Sequence, residues 1–202
     1  MKQGVLAIQH LLKIGVKPQN IQIVGDSAGG VLIHEIISHF LHPVRGVPEL
    51  SLSELLGGVY MMSPWTRLVD KKKQFIYAND YKGDVITGKA LNDLGSQVLQ
   101  AAPKEAIPYL EPNSAPPMWL SGIDQCVKRV LISAGGVECL RDEIIKYQDT
   151  LKEHHKDVTF VLQENGTHND PYWDFVTDEK DLGELTPKIL DWLDENCTKS
   201  RL

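Results

Sequence analysis

Apolar and polar positions change their period along the chain, and each change predicts an element. Near the start, Val5, Leu6, Ile8, Leu11 and Leu12 recur at helical spacing. Short apolar runs at 21–24, 58–63, 129–135 and 158–162 predict buried strands. Helical patterns follow at 31–37, 84–100 and 142–151. A closing helix is expected over 182–197, where Leu185, Ile189, Trp192 and Leu193 share one face. Strands and helices in alternation place the chain in the α/β class.

The chemistry-bearing residues fall where strands end. Gly25-Asp26-Ser27-Ala28-Gly29-Gly30 lies directly between the 21–24 strand and its helix. A chain that doubles back there strains the serine backbone, and Gly25, Gly29 and the small Ala28 are expected to relieve the crowding. This is a nucleophile elbow: Ser27 Oγ stands clear of the sheet edge. The Ala28 amide, at the helix N-terminus, points at the oxygen that turns negative in acyl transfer. No Lys-Ser/Thr follows the glycines and Gly-x-Gly-x-x-Gly is not matched, so a phosphate cradle is a poor alternative.

A serine nucleophile needs a base, and the base needs an acid to orient it. On a nucleophile-elbow scaffold these follow in the order Ser, Asp or Glu, His. His168 sits in the loop after the 158–162 strand and is the candidate base. The loop leaving the 129–135 strand offers two acids. Glu138 is in the loop itself, whereas Asp142 lies where the next helix begins, the usual place of a capping or dipole-complementing carboxylate. Glu138 is preferred and Asp142 remains the alternative.

With these residues in place, the chain resembles the hormone-sensitive-lipase-like group of α/β-hydrolases and, within it, the fungal steryl acetyl hydrolase branch. The carriers are the elbow at 25–30, the Glu138-Cys139-Leu140-Arg141-Asp142-Glu143 loop and the Asn165-Gly166-Thr167-His168 turn. In that family the acid is usually the first residue of Asp-x-Leu-x-Asp-Glu, which maps onto Glu138, with Glu in place of Asp. Val31 replaces the polar Asn often found after the two glycines. The family's His-Gly-Gly-Gly oxyanion run occurs nowhere in these 202 residues. The resemblance therefore implies the C-terminal portion of an α/β-hydrolase: a mostly parallel sheet flanked by helices, with a cap insertion. Residues 1–202 are expected to form one partial domain in which 65–127 is the cap.

Within that segment Trp65, Tyr77, Tyr81 and Trp119 are candidate pocket walls or, equally, support beneath the site. The Lys71-Lys72-Lys73 run reads as a solvated face.

Composition narrows the partners. Hydrophobic residues at 42% and charged at 24% are ordinary for a globular domain, and the net charge of −6 argues against nucleic acid, which rewards a basic patch. No run is long enough for a membrane span, and the start is no signal peptide. An odd set of three cysteines, Cys126, Cys139 and Cys197, suggests neither a disulfide framework nor a zinc site. The default compartment is cytoplasmic; membrane association and oligomeric state stay open. His34 and His39 are five apart on one helix and diverge by about 140°, so they do not form the zinc-protease pair. His10, His42, His154 and His155 are expected at the surface or at helix ends.

The expected activity is carboxylic-ester hydrolysis by an acyl-enzyme route, with no cofactor and no metal. Ser27 attacks, His168 moves the proton, Glu138 orients it and Ala28 N–H binds the oxyanion. The resemblance implies a small hydrophobic ester as substrate, an acetyl or short-acyl ester of a hydrophobic alcohol such as a sterol. The alternatives are a small-molecule-binding module on the same fold and a catalytically inactive fragment.

Overall fold

The computed structural model describes residues 1–69, 83–177 and 180–199. Four strands, β1 (Gln22–Asp26), β2 (Gly58–Met62), β3 (Val130–Gly135) and β4 (Val158–Gln163), form one sheet in the order β1-β2-β3-β4. Every pairing is parallel. The helices are α1 (Lys2–Lys13), α2 (Ala28–Leu41), α3 (Gly88–Ala101), α4 (Ile107–Leu110), α5 (Arg141–His154), α6 (Pro171–Val176) and α7 (Leu185–Lys199).

Strand periodicity explains the layering. Side chains alternate across a sheet, so Val59 and Met61 of β2 and Val130, Ile132 and Ala134 of β3 point to one face. There they meet Val5 and Ile8 of α1, Ile33, Ile36 and Ile37 of α2, and Ile144, Tyr147 and Leu151 of α5. Tyr60, Met62 and Leu131 point the other way, onto Leu185, Ile189 and Trp192 of α7. The two central strands are buried along their whole length, which is why they read as unbroken apolar runs. Edge strands β1 and β4 are partly open, and Val24 is half exposed.

The smaller layer depends on one aromatic anchor. Trp192 packs into it while the buried Arg129 guanidinium lies 3.9 Å over its ring and donates to its backbone carbonyl.

The connection from β2 to β3 carries α3 and α4 and is fastened to α2. His34 Nε2 donates to Pro108 O (2.9 Å), Trp119 Nε1 donates to Ser38 Oγ (2.9 Å) and Tyr109 OH donates to His42 O (2.7 Å). Trp119 stacks on His42. It therefore supports α2. Tyr77, Tyr81 and the lysine run lie outside the described residues.

One expected detail is corrected. The helix expected over 84–100 starts at Gly88, because Thr87 Oγ1 accepts from Ala90 N (3.2 Å) and caps it. His155 stands at a helix end, as expected, as the C-cap of α5, and is buried there: its Nε2 donates to Val127 O (2.9 Å) and its Nδ1 accepts from Asp157 N (3.1 Å).

Trp192→Ala should remove the anchor of the α7 layer and destabilise the protein by about 3–5 kcal/mol. The check is a shift of the urea unfolding midpoint, with the m-value unchanged.

Candidate active site

The strand register brings the loops together. Asp26 pairs with Met62, Met62 with Ser133, and Gly135 with Gln163, so the carboxyl ends of all four strands lie along one edge. Loops at that edge are where open parallel sheets hold their ligands. Three non-glycine residues among those described have a left-handed φ: Ser27 (52°), Ser63 (43°) and Asn169 (55°). Each sits at this edge, one after β1, one after β2 and one in the loop beyond β4.

Ser27 forms the turn into α2 at φ 52° and ψ −115°. Its amide donates to Met62 O (2.9 Å), and its carbonyl accepts from Gly30 N (3.1 Å) and Trp65 N (3.1 Å). The elbow is thus pinned to β2 and to the segment after it. A Cβ on Gly25 would run into the Gly29 carbonyl, and one on Gly30 would meet Pro64. A Cβ on Gly29 would only touch Asp26 Oδ1 at 3.9 Å, an ordinary contact, so crowding is relieved by Gly25 and Gly30, not by Gly29 as expected. Ala28 opens α2, and its amide belongs to the first turn, which has no carbonyl partner within the helix.

Glu138 is fully buried and His168 nearly so, and Glu138 Oε2 lies 3.8 Å from His168 Nδ1. That is ion-pair range for a protonated ring and longer than a hydrogen bond. The same oxygen accepts from Ser63 Oγ (2.6 Å) and Gly135 N (3.2 Å). Asp142 is elsewhere: it stands in the first turn of α5 and pairs with Arg141 at 2.8 Å. Ser27 Oγ makes no hydrogen bond to His168. The histidine loop is tied to the elbow one residue away, through Asn169 Nδ2 donating to Asp26 Oδ2 (3.1 Å).

Ser63, Asp84 and Asn169 escaped the sequence reading. Ser63 Oγ donates to Glu138 and accepts from Asn169 N (3.2 Å), joining the acid loop to the base loop. Asp84 accepts from His168 N and from Cys139 N. The available signals were a Ser-Pro step ending the strand beside the elbow, and an Asn, tolerant of left-handed backbone, right after the histidine.

The other buried histidines are occupied. His34 Nδ1 accepts from Tyr147 OH (2.8 Å), and burial lowers its pKa to about 4, so it stays neutral. His39 Nε2 donates to Pro48 O (2.9 Å).

The alpha/beta hydrolase fold model matches residues 2–170, most of the chain. The chain belongs to the alpha/beta hydrolase family. It is 28% identical over 132 residues to the protein named "Putative steryl acetyl hydrolase mug81" of Schizosaccharomyces pombe, covering 64% of this chain and 34% of that protein. Its fold is shared with a crystal structure of an esterase/lipase from an uncultured bacterium (TM-score 0.68, 24% identity, 96% of this chain and 58% of that one). It is shared also with an esterase of the bacterial hormone-sensitive lipase family (TM-score 0.69, 20% identity, 95% and 58%). The chain thus spans about a third of the curated relative and under two thirds of these structures. Among the described residues no helix of this hydrolase-family chain is long and apolar enough to cross a membrane.

Burial pushes the Glu138 carboxyl above its ordinary value of 4.5, opposed by His168, Ser63 and the Gly135 amide. A carboxyl raised in the folded state stabilises the fold fully below its unfolded pKa and loses that contribution as pH rises through the folded pKa. Glu138→Gln removes the ionisation. The variant should therefore gain stability relative to wild type as pH rises from about 4 to 8, read as diverging urea midpoints across that range.

Proposed function

We propose that the protein is a serine hydrolase of carboxylic esters. The observation that carries this reading is the buried Glu138–His168 pair at the same sheet edge as the strained Ser27 elbow. Burying a carboxylate is costly, and here Ser63 Oγ and the Gly135 amide donate to it while an imidazole stands beside it, placed for its charge to be stabilised when it takes a proton.

In this mechanism Ser27 Oγ attacks the ester carbonyl carbon while His168 Nε2 takes its proton. The oxyanion meets the Ala28 amide, where the α2 N-terminus adds a favourable dipole. Collapse breaks the bond to the alkoxy oxygen, which leaves with the proton from His168. Water then attacks the acyl-enzyme by the same proton path and frees the acid. Glu138 holds the tautomer with Nδ1 protonated and stabilises the imidazolium; its loop position and burial support it over Asp142 for this role.

The likeness to the Schizosaccharomyces pombe protein supports acetyl or other short-acyl esters of hydrophobic alcohols, sterols among them, as substrates. We assign the 65–127 segment as the cap, supported by the reach of Asp84 to the two loops. A binding module that keeps the pocket without the chemistry is the second reading, favoured by the missing Ser27–His168 hydrogen bond.

In the intact protein, Ser27→Ala should lower p-nitrophenyl acetate hydrolysis by about 10³-fold or more and abolish labelling by a serine-directed phosphonate. Glu138→Gln should cost about 10²–10⁴ in kcat while labelling slows in parallel. Wild-type protein that neither turns over the ester nor labels would decide for the binding module.

A further inference from the structure

Asp84 precedes α3 in the connection between β2 and β3, remote in sequence from both the acid and the base. Its carboxylate nevertheless touches both loops. Oδ1 accepts from His168 N at 2.8 Å; Oδ2 accepts from Cys139 N at 2.9 Å and from Cys139 Sγ at 3.1 Å. These are the amides of the candidate base itself and of the residue after the candidate acid. Ile86 O lies 2.9 Å from the same Cys139 Sγ and shares its one proton with Asp84, which draws the chain just beyond Asp84 onto the acid loop.

The carboxylate is not spent on its own helix. Thr87 caps α3, and the local contact of Asp84 is to the Val85 amide (2.8 Å). Hydrogen bonds to an ionised acceptor are shorter and stronger than neutral ones, so a carboxylate shared by two loops is a stiff spacer.

Geometry gives this spacer its consequence. Glu138 Oε2 and His168 Nδ1 stand 3.8 Å apart, so a shift of about an ångström in either loop makes or breaks their hydrogen bond. Ser63 Oγ links Glu138 to the Asn169 amide from one side. Asp84 links Cys139 to His168 through the backbone. We propose that Asp84 is a positioning residue: its carboxylate holds the Glu138 loop and the His168 loop in register, coupling the β2–β3 connection to the competence of the acid–base pair. Asp84 touches no reacting atom. The kinetic half of this proposal rests on the esterase reading; the structural half does not.

The experiment compares wild type, Asp84→Ala, Asp84→Asn and Thr87→Ala in the intact protein. Asp84→Asn keeps the shape and one acceptor oxygen, so it answers the question even if Asp84→Ala folds poorly. Two readouts are taken: amide hydrogen exchange at Cys139 and His168, and kcat and KM for p-nitrophenyl acetate. Asp84→Ala should release both amides together, by about tenfold or more, with Asp84→Asn intermediate. It should lower kcat by about 10–100-fold with KM within about twofold, the signature of a misplaced catalytic pair. Thr87→Ala, which removes the α3 cap and leaves the spacer, should change neither readout. Amides that stay protected in both Asp84 variants, or a Thr87→Ala that reproduces the loss, would overturn the proposal. If wild type hydrolyses no ester, the esterase reading falls and hydrogen exchange alone still decides the role of Asp84.

Discussion

The loop edge of the sheet depends on one backbone conformation, the left-handed turn at Ser27. A non-glycine residue held at that φ costs about 1–3 kcal/mol, so the surrounding structure must over-determine it. Here the Ser27 amide is held by β2, and its carbonyl by the first turn of α2 and by Trp65. A Cβ at Gly25 would strike the Gly29 backbone and one at Gly30 would strike Pro64, which leaves glycine the only residue that fits either position. The turn is therefore a product of β1–β2 pairing as much as of the local run of small residues.

The same logic extends along the edge. Ser63 and Asn169 share the left-handed conformation, and a hydrogen bond joins them. Gly136 lies so close to the Glu164 carbonyl that a side chain there would collide with it, which keeps the Glu138 and His168 loops in backbone contact. Glu138 sits at their junction, buried, with its carboxyl raised above the ordinary value. A site that orients a charge away from water in this way trades stability for a fixed geometry.

Away from the edge, histidine does structural work. His34, His42, His154 and His155 each donate from Nε2 to a backbone carbonyl, that of Pro108 in the short α4 and those of Trp119, Pro117 and Val127 in the irregular chain. Loops carry backbone carbonyls that need partners when buried, and a ring on a neighbouring helix supplies one without adding charge. These contacts fasten the β2–β3 connection and the strand entries to the helices, and so steady the platform on which the edge loops stand.

The strands, the elbow, the order of Ser27, Glu138 and His168, and the closing helix were legible in the sequence because each is written in local patterns: apolar runs, small residues at a turn, helical spacing. Other features depend on residues far apart in the chain. Asp84 begins no helix because its carboxylate is taken by Cys139 and His168, and Thr87 caps α3 in its place. Glu138 and Asp142 are chemically alike and four positions apart, yet one is buried 3.8 Å from the histidine and the other pairs with Arg141 outside it. Trp119 and Trp192 are both bulky aromatics in the sequence; only packing shows the first stacked on His42 and the second under Arg129. The sequence by itself determined which residues could do chemistry and in what order they arrive. Tertiary structure decided which of them meet, because burial, long-range hydrogen bonds and strand register have no signature within a local window.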